Sequence, residues 1–174
     1  EDRYRIKLEE LIISELKAFN ILFNETELPN KLDTSDEDYI SETLVKLENL
    51  SKNLQSCLLL IAYHGSHTQK SLLSKIFNVL CEVVSTKKNN ILYKELRWYT
   101  IIWLLHSTGF VLIYKNDFQT LRELLHSEVS SFNPDGNNVK LIRAYGSAYG
   151  SINYHKIINR IKVHEKQFTP LSEY

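Results

Sequence analysis

Between Arg97 and Lys115 the chain reads RWYTIIWLLHSTGFVLIYK, and the 17 residues from Trp98 to Tyr114 carry no charge. As a helix this run rises about 25 Å, against roughly 30 Å of bilayer hydrocarbon. Two architectures accept such a run: a membrane span, or the centre of a helical domain where one helix is covered on every side. Trp98, Tyr99 and Tyr114 near the ends, with Arg97 and Lys115 outside them, are what an interfacial belt would supply. Length and polarity weigh the other way. The run sits at the lower limit for a span, and His106, Ser107, Thr108 and Gly109 occupy its centre, where polar groups oppose insertion. The expectation is a central helix of an all-α domain, with no membrane partner.

The flanking segments carry helical periodicity. Residues 3–24 place Ile6, Leu8, Leu11, Ile12, Leu16, Phe19 and Phe23 near a 3.6-residue period. A polar linker with Pro29 follows, and Thr34 with Glu37 forms a capping box that starts a second helix near Asp36. That helix runs to Gly65. A third, capped by Ser66 or Thr68, turns Leu72, Leu73, Ile76, Phe77, Leu80, Val83 and Val84 to one face and closes at TKKNN. The central helix is expected over Ile91–Tyr114, KND is a tight connection, and FQTLRELLHSEV is a short amphipathic helix. SSFNPDGNN is the clearest loop, and the rest reads as one or two weaker helices broken near Gly146 and Gly150. No stretch alternates at period two for long enough to build a sheet. The pattern predicts an antiparallel helical bundle or helical-hairpin array of about six or seven helices.

Composition narrows the function classes. With 21 basic and 21 acidic residues the formal charge is zero, so no global field draws the chain to nucleic acid, and no nucleic-acid partner is expected. Cys57 and Cys81 each sit in an apolar run and read as buried, reduced small hydrophobes. The chain starts EDRYRIKLEE, has no Met and shows no charged-then-apolar leader. The expectation is one helical domain over 1–174, a fragment of a longer cytoplasmic protein, with a protein partner or self-association as its mode of action.

Few residues invite chemistry. His64 and His67 flank Gly65 with no Cys or carboxylate close by in sequence, so neither a metal nor a cofactor is expected. His106 lies in the apolar run, either satisfied by a carbonyl or hydroxyl or, with a carboxylate opposite, functional. RAYGSAYGS lacks a phosphate-cradling pattern and reads as a helix–helix turn or a mobile contact surface.

Three resemblances add expectations. TGFVLIYKNDFQTL resembles the turn of a tetratricopeptide repeat, which implies that Gly109 lets two helices approach and that Asp117 caps the second. YHG followed by LRWY…LL…TG…Y…DF…L…LL, from Leu44 to Leu125, looks like helical C-terminal modules of large bacterial stress or anti-phage defence proteins. That likeness implies a sensing, packing or oligomerising role, with chemistry in an upstream domain. Arg122 with His126, and Arg160 with His164, are similar to the Arg–His motif of HEPN-family helical RNases, which implies both side chains facing a phosphate. Here three residues intervene, and Glu123 or Ile161 follows the Arg where the family has a polar residue. Arg122, His126, Arg160, His164 and His106 are thus the candidate catalytic residues, set against a non-catalytic module.

Overall fold

The computed structural model of the chain describes residues 2–25, 37–85, 91–131 and 137–154. The linker with Pro29 and Thr34, the TKKNN closure, the Pro134–Gly136 turn and the Arg160/His164 pair lie outside the described residues. Helix α1 spans Asp2–Glu25, α2 Glu37–His64, α3 His67–Lys70, α4 Leu72–Ser85, α5 Ile91–Tyr114, α6 Phe118–His126 and α7 Leu141–Tyr154. Two short strands, β1 (Glu128–Ser130) and β2 (Asn138–Lys140), stand between α6 and α7. Among the described residues the fold is all-α apart from this two-stranded sheet.

Helix α5 is the axis of the fold and touches α2, α4, α6 and α7. From Glu95 to Ile102 it has no solvent side: Leu96, Trp98, Tyr99, Ile101 and Ile102 are all buried, as is Leu104 one turn on. Burying each such side chain contributes about 1.5–3 kcal/mol before the entropic cost of ordering it. Arg97, Trp98 and Tyr99 therefore face protein, and the Tyr99 hydroxyl donates to Glu48 Oε1 on α2 at 2.7 Å. Ser107 and Thr108 at its polar centre are satisfied by their own helix, donating to the carbonyls of Trp103 and Leu104. Among the described residues α5 alone is long and apolar enough to cross a membrane, and 61% of its most apolar window is buried against the other elements.

Helices α2 and α5 run parallel. Glu48 faces Tyr99, and Tyr63 faces Tyr114, an equal advance of 15 residues along both helices. Helix α7 runs antiparallel to α5, with Tyr145 opposite His106 and Ser151 opposite Glu95. The parallel pair is possible because α3 and α4 carry the chain back between the two. Helix α1 lies on α2 and α4 and buries Ile12 and Phe19, while Ile6 and Leu11, which the periodicity puts on the same face, are about half exposed.

The breaks between helices have local causes. A Cβ on Gly65 would lie 2.4 Å from the Ile61 carbonyl oxygen, so the end of α2 closes tightly only on glycine. Ser66 then caps α3 in a reciprocal capping box with Gln69. The predicted third helix is interrupted at Ser71, which splits it into α3 and α4. Helix α5 ends in a Schellman motif: Asn116 adopts φ 55°, its N–H donates to Ile113, and the Asp117 N–H donates to Leu112. Asn tolerates that left-handed conformation better than most residues.

The strands are a departure from the sequence-based expectation. Glu128 pairs with Lys140, Val129 with Val139 and Ser130 with Asn138, antiparallel. Three residues per strand are too few to show an alternation, and the pairing depends on Val129 being buried against α4. The hairpin returns the chain so that α7 enters directly from β2, with the Leu141 N–H donating to the Ser127 carbonyl at 2.8 Å.

Candidate functional site

The Ala-Tyr-Gly-Ser repeat explains how α7 builds one wall of a groove. It does not break the helix, which continues through Gly146 and Gly150. A four-residue repeat wound at 3.6 residues per turn keeps each residue type on nearly one stripe. Ala144 and Ala148 pack into the core, and nothing lies within 4 Å of a Cβ placed on Gly146 or Gly150. Tyr145 and Tyr149 stack on each other at 5.9 Å with an interplanar angle of 10°. Ser151 donates to the buried Glu95 carboxylate of α5.

The groove lies between α5, α6 and α7 and encloses about 250 Å³. Helix α5 contributes Leu105, His106, Gly109, Phe110 and Ile113. Helix α6 adds Leu121 and Leu125, and α7 adds Ile142 and Tyr145. Gly109 does face α6, yet a methyl there would stand 3.7 Å from Leu121, an ordinary contact, so the approach does not demand glycine. The lining is apolar except at one edge, where His106 Nε2 lies 2.7 Å from the Tyr145 hydroxyl. Burial lowers the His106 pKa, and burial followed by the neighbouring Tyr149 raises that of Tyr145. Both shifts favour a neutral imidazole bonded to a neutral phenol. His106 is thus a half-buried histidine satisfied by a hydroxyl.

Several exposed apolar residues stand at or near this groove, and others lie on α1, α2 and α4. Phe110 and Ile113 rim it at 51% exposure each, Ile142 stands across at 43%, and Tyr114 and Phe118 are more exposed still. Tyr63 at the end of α2 extends the face: its ring stacks on Tyr114 at 6.4 Å, and Lys115 Nζ lies 4.4 Å above it. Single exposed apolar side chains are ordinary on a folded protein. Periodicity alone missed these residues, because it reports that α5 is apolar all round without saying which neighbours stop short of its last turns.

Asp117 anchors the turn beneath this face. Its Oδ1 accepts from the Thr120 N–H at 3.2 Å, which caps α6 as the resemblance to a tetratricopeptide turn implies, and its Oδ2 pairs with Lys70 Nζ of α3 at 2.5 Å. The Lys70 hydrogen bond is the main cause holding the Asp117 carboxyl below its ordinary range.

The other candidates are placed as follows. Arg122 and His126 are exposed on α6 in a shallow hollow with Phe118, Gln119 and Glu123. His126 Nδ1 lies 2.9 Å from the Arg122 carbonyl, an engagement with its own helix. His64 packs edge-on against Tyr63, and no group of three or more metal-ligating side chains occurs among the described residues. Cys57 and Cys81 are buried free thiols, and burial pushes the Cys81 pKa up to about 12, far from a reactive thiolate. Comparison with known proteins finds no matching family model, no matching curated protein and no matching solved structure.

Proposed function

We propose that this chain is a non-catalytic helical module that acts by association, through the face formed by α5, α6 and α7. The observation that carries this reading is the apolar groove with Phe110, Ile113 and Ile142 exposed on its rim. Such a face is what a helix or an apolar side-chain ridge docks against. The resemblance to C-terminal modules of large multidomain bacterial proteins extends the proposal: the module would pack or oligomerise beside an enzymatic domain in the cytoplasm.

Light scattering on the purified chain, together with recovery of bound proteins, tests this. The expected outcome is an oligomer or a stable complex that Ile113→Glu weakens. A monomer that binds nothing overturns the proposal. Incubation with RNA tests the enzymatic alternative. No cleavage is expected, and cleavage abolished by His126→Ala or His164→Ala would establish a nuclease instead.

A further inference from the structure

We infer that α6 is a hinged strap over the C-terminal half of α5, latched to α3 by the Lys70–Asp117 pair. It detaches as a unit while the rest of the fold stays closed, and so withdraws one wall of the α5–α6–α7 groove. The inference names a means of regulating that face and takes its functional meaning from the association reading above. The motion itself does not depend on that reading.

The strap is thinly held. Of the nine side chains on α6, only Thr120 and Leu124 are buried. Leu121 and Leu125 are half-buried, and Phe118, Gln119, Arg122, Glu123 and His126 are exposed. Leu121 and Leu125 also border the 250 Å³ groove, so part of their inner surface meets no packed atom and forfeits that dispersion energy. A helix this short does not hold its hydrogen bonds alone. It is helical because it is packed, and detachment exposes its amides.

Both ends of the strap are fixed to the rest of the fold through residues that can pivot. Upstream, Asn116 stands alone between α5 and Asp117 at φ 55°. Downstream, Ser127 is extended at φ −63° and ψ 146°, and its carbonyl accepts from the Leu141 N–H. Val129, two residues further on, is buried against α4. A few residues at the ends of an element, as here, are where hinge motions are absorbed.

One bond holds the strap shut from outside. Asp117 belongs to the first turn of α6, because its Oδ1 accepts from the Thr120 N–H and its carbonyl from the Leu121 N–H. Its other carboxylate oxygen crosses to Lys70 Nζ on α3, which takes no part in the groove. The pair therefore ties α6 to a separate element, and detachment breaks it.

Native-state hydrogen exchange of the whole chain, read by mass spectrometry where exchange follows the opening equilibrium, tests the inference. The amides of residues 122–126 are expected to be protected, yet to exchange at least about tenfold faster than those of residues 101–105 on α5. Lys70→Met removes the latch from the closed form and should speed exchange in α6 about two- to fivefold. Ile101→Val thins the buried core and should speed exchange in α5 about two- to tenfold. It should leave α6 unchanged, because Ile101 stays packed when α6 detaches. If Ile101→Val accelerates α6 as well, α6 opens only with the whole fold and the inference is overturned. Exchange in α6 that ignores Lys70→Met, or that shows no protection at all, overturns it too. A chain that exchanges as expected yet runs as a monomer and binds nothing supports the strap and overturns the association reading, so the two fail separately.

Discussion

Replacing Asp117 by alanine removes two interactions at once, and their sizes can be assigned separately. The carboxylate caps α6 through the Thr120 N–H, a contact worth about 1 kcal/mol on average. It also pairs with Lys70, and both side chains are largely screened from solvent, at 22% and 12% exposure. Such a pair belongs near the upper end of the 0.2–1 kcal/mol found for exposed pairs, so Asp117→Ala should cost about 2 kcal/mol. For a chain of 174 residues, at ~2–4 °C per kcal/mol, that lowers Tm by about 4–8 °C. Asp117→Asn keeps the cap and loses the charge, so it should cost ~1 kcal/mol or less, as should Lys70→Met. Combining the last two should show a coupling of about 0.5–1 kcal/mol in a double-mutant cycle measured by urea unfolding. The linkage sign is definite. The folded pKa of Asp117 is lowered, so its contribution is present above the ordinary value of 3.8 and is lost as pH falls through the folded pKa. Equal destabilisation by Asn and Ala would show that the cap contributes nothing. A Tm within about 1 °C of the parent in Asp117→Ala would refute the whole assignment.

Gly146→Ala and Gly150→Ala should each stabilise the chain by roughly 0.5–1 kcal/mol, because the added methyl meets open space in a helix interior. Thermal unfolding checks this, and a loss of stability would mean that α7 needs glycine there. His106 has a folded pKa below its ordinary 6.5, so the folded state resists protonation and stability should decline as pH falls below about 6.5. In His106→Gln that part of the decline should vanish while the loss at lower pH, to which Asp117 contributes, remains. Urea midpoints taken across the range separate the two, and a parent chain with no decline between neutral pH and about 5 would contradict the burial argument.

The helical class, the limits of α1 and α5, and the cap at Asp117 could all be read along the chain. Each depends on neighbours within a few residues: the 3.6-residue recurrence of apolar side chains for the helices, and for the cap the short Asp-aromatic turn that resembles a tetratricopeptide repeat. The central place of α5 also followed, since a helix without a polar face must be covered. What covers it was decided by tertiary structure. The parallel run of α2 beside α5 depends on contacts between residues about 50 positions apart. Three-residue strands leave no periodic trace, and they pair because Val129 is buried against α4. In α7 the local preference of two glycines for a break is outweighed by Ala144, Ala148, Tyr145 and Ser151 packing onto α5 and its neighbours. The groove belongs to the same category. Its walls come from three helices, and the exposure of Phe110 and Ile113 exists only because those neighbours leave the last turns of α5 uncovered, a property of assembled surfaces that no short stretch of sequence contains.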